Sequence, residues 1–119
     1  MGACDVYLSL HRSEGFGRTI AEAALLGLEI VATAFGGNVD FCHGDGFYMV
    51  PTTPWPIPPG IYPQATGHLW GDPDLEIATS FLRQAVSTPR IRSPRHIPSL
   101  SLEYVGKNYK KALEKLSPE

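Results

Sequence analysis

The sequence predicts an α/β domain with parallel strands. Three observations carry that expectation. Three short apolar runs, at residues 5–10, 29–33 and 47–50, have the length and the β-branched or aromatic content of strands. The stretch 18–26 between the first two is rich in Ala, Ile and Leu and reads as a helix. The order strand, helix, strand, turn, strand is that of parallel βα units.

Each element has its own signal. Val6, Tyr7, Leu8 and Leu10 run with little polar interruption, which fits a strand buried on both faces. A loop follows at 11–17. Gly27 closes the helix as a C-terminal cap. Ile30 and Val31 sit inside the second strand, and Gly36, Gly37 and Asn38 signal a turn. Residues 39–42 read as a brief helical turn before the third strand.

The stretch 51–71 holds Pro51, Pro54, Pro56, Pro58, Pro59 and Pro63, with Trp55, Tyr62 and Trp70. The prolines argue against helix and central strand, and the aromatics against a free linker. The expectation is a long loop laid over the core. Asp72, Pro73 and Asp74 then start a helix, with Asp72 as its N-cap. Leu75, Ala78, Leu82 and Ala85 give it one buried face. Residues 88–98 read as a linker with three prolines and three arginines. Residues 101–116 form a last helix, with Leu102, Val105, Tyr109, Leu113 and Leu116 along one side.

Three strands are fewer than the five or six of a typical sheet, and the first begins near residue 5. The expected architecture is therefore a partial Rossmann-like three-layer sandwich with a short parallel sheet and a C-terminal helix. Residues 1–88 form the part of a nucleotide-binding domain, and residues 89–119 the linker and last helix. One sheet edge is left uncovered, which predicts self-association there or through the apolar face of the last helix.

Composition sets the outer bounds. The chain has 119 residues, 43% hydrophobic and 18% charged, which fits one globular domain and excludes disorder as the main state. Its formal net charge of −2 gives no sign of nucleic-acid binding. No apolar run is long enough to span a bilayer, and the start of the chain carries no targeting signal. Cys4 and Cys42 are the two cysteines, without paired spacing, so reduced thiols and a cytoplasmic location are expected. The basic stretch from Arg90 to Lys111 reads as a solvated face. Its alternative role is peripheral contact with anionic lipid at the inner face of the membrane.

The chemistry is concentrated between Ser13 and Glu22. Gly15 and Gly17 allow close backbone approach to a ligand. They precede a helix whose first N–H groups are unpaired and whose dipole favours anions, so a diphosphate fits there. Glu22, one turn into the helix, is suited to accept hydrogen bonds from a ribose diol. Glu14, before the glycines, is suited to sugar hydroxyls on the other side. The stretch equally fits a loop with turn glycines and two solvated carboxylates.

Glu14 and Glu22, with seven residues between them that begin Gly15, Phe16 and Gly17, resemble the signature of family-4 (group 1) retaining glycosyltransferases. The resemblance extends to residues 5–12, 30–33, 37–41 and 48–51, and to Tyr62, Pro63, Gly67, Trp70 and residues 72–75. It covers roughly residues 3 to 88. It implies the carboxy-terminal, donor-binding domain of a GT-B enzyme, with the nucleotide-diphospho-sugar as substrate and no metal or other cofactor. Glu22 would hold the ribose hydroxyls. Glu14 would meet the donor sugar as the catalytic residue. Gly15, Phe16, Gly17, Arg18 and Thr19 would complete the donor-binding set, with His11, Gly37 and Asn38 on the substrate side. The family's upstream basic pair, its acceptor domain and its active-site His have no counterpart here. The chain alone is therefore expected to be inactive and to need an amino-terminal acceptor domain or subunit. The alternatives are a non-catalytic nucleotide-sugar-binding subunit and a structural remnant.

Other residues read as structure. Asp72 and Asp74 mimic an Asp-x-Asp metal motif, but N-capping explains them. His43, His68 and His96 lack metal-like spacing, and Ser13 lacks a nucleophile's surroundings. Arg12 is expected to pair with Glu14. Trp55, Tyr62 and Trp70 are expected to cover the core rather than stack on a sugar.

Overall fold

The computed structural model describes residues 1–88 and 93–116. Val6–Ser9 (β1) leads to Arg18–Leu25 (α1), then Glu29–Thr33 (β2) and Phe47–Val50 (β3). The three strands are parallel in the order β1-β2-β3, with Tyr7 beside Ile30 and Ile30 beside Phe47. The chain continues through Thr52–Pro56 (β4), Leu69–Pro73 (β5), Leu75–Ser87 (α2) and Leu102–Leu116 (α3). The fold is thus mixed α/β, with a short parallel sheet and three helices.

β2 is central because its side chains from Ile30 to Thr33 are apolar or small and alternate between two cores. Ile30 and Ala32 meet Ile20, Ala23 and Ala24 of α1, together with Phe41 and Cys42. Val31 meets Val50 and, from α2, Ala78 and Ala85 on the opposite face. Ile20 and Ile30 are fully buried, each contributing about 2 kcal/mol by removal from water. α1 ends as the sequence predicts. Gly27 takes φ +82°, its N–H bonds Ala24 O at 2.9 Å, and the Leu28 N–H bonds Ala23 O at 3.1 Å. This paired bonding satisfies the last carbonyls of the helix.

Several expectations are corrected. β1 is an edge strand and is not buried on both faces; Leu8 stays 47% exposed. The short turn after β2 is a 3-10 turn at Gly37–Asp40, two residues earlier than expected. The stretch 51–71 is not a loop throughout, because β4 and β5 pair antiparallel, with Trp55 opposite Trp70. Both strands of a two-stranded ribbon are edges, so prolines are tolerated wherever their missing N–H faces outward. Trp55 of the ribbon and Tyr62 of the loop that joins its strands are more than half exposed, so neither covers the core.

The N-cap of α2 is Asp74, not Asp72. The Asp74 carboxylate accepts from the N–H groups of Glu76 and Ile77 at 3.0 and 2.9 Å. Asp72 lies in β5 and pairs with Arg12 at 2.9 Å, the partner expected to be Glu14. Leu75, expected on the buried face of α2, is 64% exposed. α3 has the expected span, but none of its residues is buried.

Residues 93–97 return beneath the amino ends of the strands. Arg95 donates to Leu28 O and pairs with Glu29 at 3.0 Å, and it lies 5.1 Å from the Phe47 ring centre. Of the linker expected at 88–98, residues 89–92 lie outside the described residues. Arg90, the start of the basic stretch, is among them.

Candidate functional site

The loops that leave the carboxyl ends of β1 and β2 meet backbone to backbone. The Gly37 N–H donates to Glu14 O at 3.1 Å. A Cβ on Gly36 would overlap that same carbonyl, and one on Gly37 would overlap Gly15 O. Gly36 also takes φ +98°, a conformation that other residues rarely adopt. The joint therefore exists because positions 36 and 37 have no side chains.

Gly17 shapes the start of α1. It is the N-cap residue, in the left-handed region at φ +86°, and it brings no capping side chain. The helix's first N–H groups have no intrahelical acceptors by helix geometry, and its first turn carries no acidic residue. The positive end of the helix dipole thus sits at the carboxyl end of a parallel sheet, where ligands bind in open α/β folds.

The expected site residues fall into three settings. Glu14, Gly15, Phe16, Gly17, Arg18, Thr19 and Glu22 lie on one continuous loop and helix start. Glu14 is partly buried. Arg18 and Glu22 are exposed and face each other at 3.7 Å across one helical turn. Thr19 Oγ1 accepts from the Tyr7 hydroxyl at 2.8 Å, which ties the helix start to β1. Phe16 is half exposed and rests on Phe41, ring centres 5.2 Å apart. Together with Val39, Leu100 and Tyr104 these rings line a hollow of about 650 Å³ beside the loop.

His11 and Asn38 stand behind the loop. His11 Nε2 lies 2.9 Å from Phe35 O, and Nδ1 lies 3.0 Å from Ser9 Oγ. A carbonyl only accepts, so Nε2 donates to Phe35 O, and in the neutral ring Nδ1 accepts from the Ser9 hydroxyl. His11 therefore ties the loop after β1 to the loop after β2. Asn38 is fully buried, against the position a Gly17 Cβ would take. Its Nδ2 donates to Thr33 O at 2.9 Å, while its Oδ1 has no hydrogen-bond partner among the described residues.

Cys42 packs beside Asn38. Burial raises its thiol from 9.0 to about 11, against a smaller lowering from the Asn38 hydrogen bond. Sequence reasoning did not foresee the Asn38 and Cys42 pair, nor the Ser9–His11 contact. The second lies where β1 gives way to the loop, so strand periodicity does not reveal it. Among the described residues no three His, Cys, Asp or Glu side chains gather where they could hold a metal ion. Among them, too, no helix is long and apolar enough to cross a membrane.

No family model, no curated protein and no solved structure matches this chain.

Proposed function

We propose that the carboxyl end of the sheet binds a nucleotide-diphospho-sugar. In this reading the chain is the donor-binding portion of a retaining GT-B glycosyltransferase, a partial Rossmann-like unit. It acts in the cytoplasm with an acceptor domain or subunit supplied by other residues. The observation that carries the reading is the start of α1: a left-handed glycine and no capping side chain, with Glu14 before it and Glu22 after it in sequence. The resemblance of roughly residues 3–88 to that family supports the same assignment.

The chemistry follows from the geometry. The diphosphate takes the helix N–H groups and the dipole, equivalent to about half a positive charge. Glu22 exchanges Arg18 for the ribose diol. An exposed pair of that kind is worth under about 1 kcal/mol, so the exchange costs little. Arg18, once released, faces the phosphates. Glu14 meets the sugar from the other side of the glycines. The loop needs no rearrangement to do this, because the Gly36 and Gly37 joint already fixes its path.

Two-dimensional amide NMR, with UDP, GDP and their sugar conjugates added in turn, tests the assignment. Saturable shifts centred on residues 15–22, lost in Glu22→Ala, are expected. A folded sample that shows no shift at millimolar ligand refutes donor binding. Sugar transfer by the isolated chain would overturn the need for a separate acceptor unit. Donor binding that never yields transfer, even with an acceptor unit supplied, identifies the alternative: a non-catalytic binding subunit.

A further inference from the structure

The outward face of the β4–β5 ribbon gathers rings and polar groups that the proposed donor site does not use. Strand alternation puts Thr53, Trp55, Trp70 and Asp72 on one face, with Trp55 opposite Trp70 and Thr53 opposite Asp72. The other face rests on the body of the molecule, where Gly71 is buried against the Phe35 ring. Tyr62, from the loop that joins the strands, meets Trp70 edge to face with ring centres 6.1 Å apart. Trp55 and Tyr62 are 54% and 56% exposed. Arg12, from the loop after β1, lies 5.7 Å from the Trp70 ring centre and pairs with Asp72. Its Nε and Nη2 both bond Asp72 Oδ1 at 2.9 Å, which leaves Asp72 Oδ2 and Arg12 Nη1 without partners among the described residues.

We infer that this face binds a neutral oligosaccharide. Large rings left in water gain by cover, and the cover must match the polar groups beside them. A pyranose has an apolar face of C–H groups and a rim of hydroxyls. The C–H face covers an indole ring. A hydroxyl both donates and accepts, so the rim donates to Asp72 Oδ2 and accepts from Arg12 Nη1. The ion pair stays intact while it does this, and it holds both polar groups beside the Trp70 ring. Charge decides against other occupants. Arg12 and Asp72 cancel, so the face offers no net positive charge to nucleic acid or to an anionic membrane. The inference does not rest on the donor reading, because none of these side chains belongs to that site. The face is open and solvated, so a dissociation constant of about 0.1–1 mM is expected.

Electrophoresis of the full chain in native gels cast with mannan, dextran, amylopectin or xylan tests this. Retardation by at least one of these neutral polymers is expected. Both tryptophans of the chain lie on the face, so soluble oligosaccharides of the retarding polymer should shift their fluorescence. Trp55→Ala and Tyr62→Ala should each weaken binding about threefold to tenfold, with native circular dichroism. Trp55→Phe keeps a ring and should keep most of the affinity, which separates stacking from any loss of fold. Tyr109→Ala, on the exposed side of α3, should bind like the parent. A folded parent that no neutral polymer retards overturns the proposal. So does retardation that survives both Trp55→Ala and Tyr62→Ala, or retardation by dextran sulfate alone, which would mark a site for anions. Self-association that is lost in Trp55→Ala, without retardation by any polymer, also overturns it and makes the face a protein contact.

Discussion

The two ends of the three-stranded sheet both rely on glycines, yet they are closed in opposite ways. At the carboxyl end, Gly36 and Gly37 lie against the backbone of Glu14 and Gly15, with no side chain in the joint. At the amino end, Gly27 and Gly46 make room for a returning segment. A Cβ on Gly27 would stand 2.6 Å from Ser93 O, and one on Gly46 would overlap the Arg95 guanidinium. The first end carries a helix start that no side chain caps. The second is sealed by a side chain. The proposed anion site lies at the first end, and the clasp at the second contributes stability.

The contrast is sharpest if the glycines are filled. Gly37→Ala has only backbone to displace, so it is expected to cost about 3–4 kcal/mol and to lower the melting temperature by about 10 °C. Urea titration measures it. A loss below about 1 kcal/mol would mean that the two site loops are not locked together.

Arg95→Ala breaks the seal instead. Its side chain and that of Glu29 are 19% and 13% exposed, so the abandoned carboxylate is left nearly buried. A cost of about 2–3 kcal/mol is expected, below that of a fully buried pair because some water reaches both groups. Gly46→Ala should cost far less in the Arg95→Ala background, because the obstacle is then gone and only the φ of +80° remains. Additive costs would refute the clasp.

Between the two ends lies Cys42. Its thiol is raised to about 11 by burial, so the folded state holds its proton where the unfolded chain has lost it. Stability from this group is complete below about pH 9 and is lost as pH rises to about 11, to a total of about 2–3 kcal/mol. Urea titrations at pH 8 and pH 10.5 should diverge in the parent and converge in Cys42→Ala. Equal pH dependence in both chains would contradict the raised thiol.

What could be read from the sequence was local. The spans of α1, β2 and β3 follow from short apolar runs, and the end of α1 from Gly27, whose positive φ completes the cap. The Ser13–Glu22 stretch was legible as one unit for the same reason, since the loop and helix that carry it are contiguous. Long-range contacts were not legible. Nothing near Arg95 in sequence points to Leu28 or Glu29, more than 60 residues away. Nor does anything near Asn38 reveal that it stands behind Gly17. The β4 and β5 ribbon escaped because proline excludes a central strand, and the rule does not hold where every strand is an edge. α3 shows the reverse limit. Its apolar spacing is real, yet spacing specifies a face and not a neighbour, and the helix buries none of its residues.

The ribbon gives the smallest expected effect, and it tests what docks it. Arg12 joins Asp72 and lies 5.7 Å from the Trp70 ring centre, but the side chains of the ion pair are 57% and 41% exposed. Solvent and salt screen such a pair, so Arg12→Ala should cost under about 1 kcal/mol. A second link survives that change: the Gly71 N–H bonds Arg12 O at 2.9 Å, and alanine keeps its carbonyl. Gly71 also lies so close to Phe35 that an added Cβ would stand 2.5 Å from the ring. Gly71→Ala should therefore loosen the ribbon more than Arg12→Ala does. Both tryptophans of the chain, Trp55 and Trp70, sit opposite each other in this ribbon. Their fluorescence reports its detachment, while circular dichroism follows the helices. Coincident transitions in Arg12→Ala, with an early fluorescence change confined to Gly71→Ala, would show that close backbone approach and not the ion pair holds the ribbon. The reverse pattern would assign that role to Arg12.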